Sequence, residues 1–551
     1  MIKTINNEHQ AALVALAEVS KLNGIKELFS NDFNRASDYS FDVDGLLFDF
    51  SKSHITRKLI DVYQEIAADT GWTKKRHDLF SGVKINTSEN RAVLHSLLRD
   101  PNNQGIETVE RRYIDEAHDA EDQFRTQFKQ IQLDLSERKI PVTDIIHVGI
   151  GGSSLGTKLI YQALRSVNSK IKVHFISNID AHELLDVLHQ CNVKQTMVIG
   201  VSKTFQTTET LTNIKTIGTW FKKNGVEDYL EHVYAVTAKP ECAIRYGIKE
   251  SNIITFPEWV GGRYSVWSSV SLSAVIAIGL DKFEEFLKGA AQIDQYFYQT
   301  ELSQNVCFIA AALDHFNTNY LGTSSKAIFA YDYRFRSLVN YLQQLETESN
   351  GKDRQINGEP VDQKTSPVVW GGVGTDVQHS VFQMLHQGTS IIPAEFLLVA
   401  KADHEMSETH RELLSNGLAQ TAALLSGQDL ETVLGQDKTI DVNSKESISE
   451  AKSKIFSGDR PSTTILIDKL TPRTLGTLLA FYEHRTFSYG VIANINSFDQ
   501  MGVELGKRLA NEVKPLLSND VSENIEAEDG AVEGIDPSTI SLINRINSYN
   551  T

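Results

Sequence analysis

Cysteine is nearly absent: Cys191, Cys242 and Cys307 are the only three in 551 residues, far apart and without a Cys-x-x-Cys pair. An odd, scattered set cannot supply a disulfide framework, and its spacing is not that of a structural zinc site. A basic excess is lacking too. Lys and Arg number 54 against 71 Asp and Glu, a formal charge of −17, so the chain is not built to coat nucleic acid or to sit on an anionic membrane. Long apolar runs are also missing. The longest, about 270–280, is broken by serines and falls short of the roughly 20 residues a membrane helix needs. The first residues hold acidic and amide side chains where a signal peptide needs an apolar core. These absences read as a cytoplasmic chain with neither a membrane nor a nucleic-acid partner. Apolar residues at 41% and charged residues at 23% fit an ordinary folded protein, and the length allows about two to four domains.

Residues 1 to about 110 read as mainly helical, with no strand-like runs. From about 140 short β-rich runs (145–148, 171–176, 197–201, 233–236 and 253–256) alternate with helical patterns such as 155–166 and 208–221. After a helical bridge at 283–318 the rhythm restarts, with runs at 327–330, 367–370, 396–400 and 464–467. Alternation of this kind builds parallel sheets flanked by helices. The expectation is an α/β protein with two doubly wound domains: an N-terminal helical region at 1–110, α/β domains at 111–283 and 284–511, and a C-terminal arm at 512–551. The stretch 520–536 is strongly acidic and reads as a solvated arm, with a helix resuming at about 537–548.

In open parallel sheets ligands sit beyond the carboxyl ends of the strands, at helix N-termini. Two turns there have phosphate chemistry. Gly149-Ile150-Gly151-Gly152-Ser153-Ser154 follows an apolar run and lets backbone N–H groups approach an anion. It is not a dinucleotide fingerprint, because Ser154 stands at the third glycine position, and no Gly-Lys-Ser/Thr follows to make a Walker loop. Ser202-Lys203-Thr204-Phe205-Gln206-Thr207-Thr208-Glu209 offers hydroxyls, a cation and another helix start; its plainer reading is a cluster of N-caps. On successive strands of one sheet, the pair suits a sugar phosphate better than a dinucleotide.

Four further segments carry candidate chemistry. Arg263, after Gly261-Gly262, could face charge developing on an oxygen, although most such arginines are ion-paired. A carboxylate in Gln344-Leu345-Glu346-Thr347-Glu348-Ser349-Asn350-Gly351 could be a general base; residue physics does not separate Glu346 from Glu348. His379 and His386 fall near one helix face, without the i,i+4 spacing of a helical zinc motif. Gln500, Glu504 and Lys507 would share one narrow polar face if 500–507 is helical, and Gly502 and Gly506 there hint at close approach by another group.

Taken together, Gly149–Ser153, Ser202–Phe205, Gly261–Ser268, Glu348–Lys352, Gln378-His379 and Phe498–Lys507 resemble the glucose-6-phosphate isomerase family, in order and from about residue 40 to 515. The resemblance implies two sugar-isomerase (SIS) αβα domains in a homodimer with a site shared between subunits. It implies interconversion of glucose 6-phosphate and fructose 6-phosphate, in glycolysis and gluconeogenesis, without cofactor or metal. By motif matching Glu348 is the base moving a proton between C1 and C2 through a cis-enediol. His379, donated by the partner, and Lys507 open the ring, and Arg263 steadies the enediolate. Gly152, Ser153, Ser202, Lys203, Thr204 and Thr207 hold the phosphate or nearby oxygens, Gln344 and Gln500 lie on the sugar, and Glu209 orients His379. Ser154, Thr347, Asp376-Val377 and Met501 depart from the family's common residues without replacing a proposed catalytic group. The alternatives are an SIS isomerase of another hexose phosphate, or a non-catalytic sugar-phosphate sensor.

Overall fold

The structure, a computed structural model, describes residues 5–103, 106, 109–137, 140–517 and 535–549. Its compact units are Met1–Ser497 and Phe498–Thr551. Strands in chain order are β1 (Ser40–Val43), β2 (Leu46–Asp49), β3 (Asp144–Val148), β4 (Lys172–Ile176), β5 (Thr196–Val201), β6 (Val233–Thr237) and β7 (Ile253–Thr255). They continue with β8 (Ser325–Tyr331), β9 (Val368–Val373), β10 (Ala394–Lys401) and β11 (Ser462–Lys469).

β3 to β7 form one five-stranded sheet in the order β4-β3-β5-β6-β7, every pair parallel. All residues of β3, β5 and β6 are buried, which is why their sequences are nearly continuous apolar runs and not alternations. Ile146, Val148, Val198 and Ala235 face one apolar layer with Leu184, Ile214, Ile217 and Phe221, from the helices Ala181–Gln190 and Thr208–Lys223. On the other face His147 Nδ1 meets Ser273 Oγ of the helix Leu272–Ile278 at 2.8 Å. Helices therefore cover both faces, and the strand order reverses between β3 and β5. A parallel sheet opens a crevice at such a reversal, and the two turns singled out in the sequence leave these two strands.

β8 to β11 form the parallel part of a six-stranded sheet, ordered β1-β2-β11-β10-β8-β9. Its first two strands are a hairpin that the helical reading of residues 1–110 omits. Asp44 and Gly45 have φ of 49° and 81°, the left-handed pair of a two-residue turn whose twist matches its strands, and β2 then pairs antiparallel with β11. Four-residue strands are too short to give a clear period; the Asp-Gly between apolar pairs was the available signal. The helix Pro472–Ile492, which follows β11, is buried from Thr474 to Ile492. It packs so closely on the helix Leu280–Gln299 that a Cβ on Gly476 would lie 1.9 Å from the Phe286 carbonyl oxygen.

The unit Phe498–Thr551 contains the helices Glu504–Val513 and Pro537–Tyr549. Ile535, Ile540 and Ile543 pack with Val513 and Leu516, and Asp536 accepts hydrogen bonds from the Ser538 and Thr539 amides at 3.0 and 3.1 Å. Of the acidic stretch, residues 520–534 lie outside the described residues.

Candidate active site

The β3 turn is shaped by its close neighbours. Gly151 is left-handed at φ 56°, and a Cβ on Gly152 would lie 2.3 Å from the Gly262 carbonyl carbon and 2.7 Å from Arg263 N. Ser265 Oγ donates to the Gly152 carbonyl at 3.2 Å. The turn thus sits against the segment that carries Arg263. Ser153 is half-buried and its carbonyl meets His147 Nε2 at 2.7 Å; Ser154 is buried, and its hydroxyl has no hydrogen-bond partner among the described residues. Gly152→Ala is expected to displace the Gly262–Arg263 backbone and lower kcat/KM by about 100-fold, the scale of an ångström's misplacement at a reacting centre. Steady-state kinetics beside a urea melt test this, and parental activity would refute the close approach.

The β5 turn is anchored by Phe205, buried in the apolar layer beneath it and left-handed at φ 50°, a strained conformation for a bulky residue. Ser202 Oγ and Thr207 Oγ1 pair with each other at 2.9 Å. Thr207 stands at the N-cap of the helix Thr208–Lys223, yet its side chain caps no backbone N–H. The plain capping explanation of these hydroxyls therefore does not account for Thr207, and the helix keeps an N-terminus suited to an anion. Thr204 is exposed and Glu209 half-buried. Lys203 Nζ donates to the Glu258 and Val260 carbonyls, each at 2.8 Å. Burial, then the charge of Arg91, pushes Lys203 down to about 8.

Arg263 is buried, 4% exposed. Its Nε donates to Ser349 Oγ at 2.6 Å and its Nη2 to the Ser497 carbonyl at 2.8 Å, while Nη1 lies 3.7 Å from Glu348 Oε2. Glu348 closes a single π-helical turn, Gln344–Glu348, that continues the helix Leu338–Gln343; such turns recur at functional sites. Gln344 Nε2 donates to Glu348 Oε2 at 2.8 Å, and the same nitrogen lies 3.0 Å from where a Gly151 Cβ would stand. Asn350 holds the turn's end, donating to the Thr486 carbonyl at 3.0 Å and accepting from Ser497 Oγ at 2.7 Å.

The two carboxylates of this turn now separate. Glu348 keeps 22% of its side chain exposed beside the guanidinium. Glu346 is buried on Lys326 Nζ at 2.7 Å, and burial raises its pKa. Of the two, Glu348 is the carboxylate exposed enough to reach a ligand.

The structure brings Gly152, Arg263, Gln344 and Glu348 into one linked set, with Lys203 attached through the carbonyls of Glu258 and Val260. His379 lies exposed on the helix Gly374–Gln387; among the described residues it makes no hydrogen bond or ion pair with Glu348 or Arg263. Gln500 and Lys507 belong to the unit Phe498–Thr551. The shared helical face expected for them is corrected: Gln500 precedes a 3₁₀ turn at Met501–Val503, and only Glu504 and Lys507 share the helix, paired at 2.9 Å. Among the described residues nothing lies within 4 Å of a Cβ built on Gly502 or Gly506. The partners that fix Arg263, namely Ser349 and Ser497, escaped the sequence reading. Ser349 stands inside a quoted motif; the Ser497 contribution is a carbonyl, which no side-chain pattern reveals.

Fold and site define a class: a doubly wound, parallel-sheet α/β protein with glycine- and hydroxyl-rich turns at a topological switch point and a carboxylate–guanidinium pair beside the β3 turn. The chain belongs to the phosphoglucose isomerase family, whose family model matches residues 49–543. It is 41% identical over 539 residues to the glucose-6-phosphate isomerase of Rhizorhabdus wittichii, covering 98% of this chain and 99% of that one. It is 38% identical to the Shewanella amazonensis glucose-6-phosphate isomerase over 95% of this chain and 96% of that one. The crystal structure of a glucose-6-phosphate isomerase from Chlamydia trachomatis superposes with a TM-score of 0.83 at 29% identity, covering 98% of each chain.

Proposed function

We propose that this protein performs its family's reaction with Glu348 as the base. It interconverts glucose 6-phosphate and fructose 6-phosphate, a step of glycolysis. The single observation that carries the assignment of the base is the partly exposed Glu348 carboxylate 3.7 Å from a buried Arg263. Moving the proton between C1 and C2 needs a carboxylate that takes it from one carbon and returns it to the other, and a cation near the oxygen that becomes negative. Arg263 is held from two sides before substrate arrives, so little reorganisation is needed when the enediolate forms. Gln344 orients the Glu348 oxygen.

Gly152, Ser153, Ser202, Lys203, Thr204 and Thr207 take the phosphate and adjoining oxygens. Phosphate lies far from the reacting carbons, so its binding energy positions the sugar. A phosphate dianion near Lys203 favours the charged ammonium that burial disfavours. Ring opening falls to His379 of the opposite subunit and to Lys507, with Glu209 setting His379 and Gln500 on the sugar. That division requires a homodimer. The wider reading is a cytoplasmic enzyme of two αβα domains, 111–283 and 284–511, working without metal or cofactor.

The test is a coupled assay of purified protein on fructose 6-phosphate with a chelator present. Turnover to glucose 6-phosphate is expected. No activity would overturn the assignment of the reaction, and activity that vanishes with chelator would overturn the metal-free chemistry alone.

A further inference from the structure

We propose that Asp144, His174 and Cys191 form a binding site for one divalent ion of the zinc class, at the end of the first sheet away from the phosphate turns. Asp144 opens β3, whose other end leads into the Gly149–Ser154 turn. His174 sits on β4 opposite Ile146. Side chains two apart on a strand share a face, so Asp144, Ile146 and His174 point to the same side, the side covered by the helix Ala181–Gln190. Cys191 is the first residue beyond that helix, and its thiol is in no disulfide.

The three donor atoms all lie within 4.8 Å of one another, and His174 Nε2 is already 2.9 Å from Asp144 Oδ1. Tetrahedral zinc, with bonds of about 2.0–2.3 Å, holds such donors about 3.3–3.6 Å apart. Rotation of the cysteine side chain is the main adjustment needed. One sulfur, one imidazole nitrogen and one carboxylate oxygen form a borderline-soft set that favours zinc over calcium or magnesium. The supporting shell is present as well. Thr143 Oγ1 donates to Asp144 Oδ2 at 2.7 Å, so Oδ1, now facing His174 Nε2 at 2.9 Å, is the oxygen that would turn to the ion. The backbone around Cys191 is pinned by its own amide on the Leu188 carbonyl at 3.3 Å and by Thr196 Oγ1 on the Asn192 carbonyl at 2.7 Å.

Binding breaks the hydrogen bond between His174 Nε2 and Asp144, leaves the imidazole neutral with its proton on Nδ1, and exchanges the thiol proton for the metal–sulfur bond, releasing that proton to solvent with no redox change. A water completes the fourth position. The ion would tie β3, β4 and the end of a helix together, so its role is to stabilise the sheet and not to catalyse. The sequence hides this site because its ligands come from three separate elements and match no spacing rule.

The experiment uses the full chain, stripped with chelator and titrated with cobalt(II). One equivalent per chain is expected to produce thiolate-to-cobalt absorption in the near ultraviolet, which zinc then displaces. Cys191→Ser is expected to abolish the band and His174→Gln to weaken cobalt binding at least tenfold, both with parental isomerase activity. Zinc should raise the Tm of the parent and not of Cys191→Ser, and should protect Cys191 from alkylation. Absence of the band in the parent, or its survival in Cys191→Ser, would overturn the proposal. Isomerase activity is read separately, so its presence or absence does not decide this site.

Discussion

Replacing Glu348 with Gln is expected to lower kcat by about 10²–10⁴-fold, the usual weight of a general base, with KM within a few-fold of the parent. The substitution is nearly isosteric. The side-chain amide that E348Q introduces can still accept from Gln344 and lie beside Arg263, so the turn keeps its shape and only the basic oxygen is lost. Glu346 cannot take over, because Lys326 holds it on the buried side of the turn. On the proposed assignment substrate affinity rests on the β3 and β5 turns, whose residues the substitution does not replace. The coupled assay gives kcat and KM, and loss of the C2 hydrogen isotope to solvent reports the proton transfer itself. Unchanged turnover would refute the assignment. The same variant tests the shared site: mixed with a His379→Ala chain and allowed to exchange subunits, it should regain activity, since each hybrid holds one site with both groups.

How far the sequence carried these conclusions depended on whether the signal was local. The nine strands of the two parallel arrays were legible because each carries a short β-rich run, nearly unbroken and apolar where the strand is wholly buried, as in β3, β5 and β6. The two turns proposed to take the phosphate were legible as strand-to-helix turns because glycine and hydroxyl residues cluster just where β3 and β5 end. The β1–β2 hairpin was not, since four residues cannot display a period and its reason to exist is a partner, β11, more than 400 positions away. The choice between Glu346 and Glu348 needed three dimensions: both are glutamates of one helical turn, and burial on Lys326 or exposure beside Arg263 is a tertiary fact. Gln500 failed for a related reason, because the helical angle argument assumes a helix that begins only at Glu504. The Asp144–His174–Cys191 cluster shows the same limit from the other side, since cysteine spacing alone had argued against any such site.

Lys326→Met is expected to destabilise the protein by about 3–5 kcal/mol, the scale for removing one partner of a buried ion pair. Lys326 Nζ lies 2.7 Å from Glu346 and 3.0 Å from Asp314. Arg485 lies 2.9 Å from Asp314, 2.6 Å from Glu395 and 3.6 Å from Glu346, and Tyr482 donates to Glu395 at 2.5 Å. Three carboxylates thus face two cations in one largely buried site, one negative charge in excess. Burial, against the pull of Lys326 and the Tyr482 hydrogen bond and with help from Asp314 and Glu346, pushes Glu395 up to about 7. The folded chain therefore holds a proton that the unfolded chain releases near its ordinary value of 4.5. Stability from this group is complete below that value and is lost as pH rises through 7. Glu395→Gln keeps a neutral side chain at every pH, so its stability relative to the parent should improve between pH 5.5 and pH 8. Urea unfolding of parent, Lys326→Met and Glu395→Gln at both values measures this. A Lys326→Met loss under about 1 kcal/mol would mean the carboxylates find other partners, and a constant gap between parent and Glu395→Gln would place the excess proton elsewhere. The network also bears on catalysis. Glu346 is two residues from Glu348 on the same π-helical turn, so Lys326→Met should lower kcat as well as stability, and Glu346→Gln added to Lys326→Met should restore part of both by removing the stranded charge.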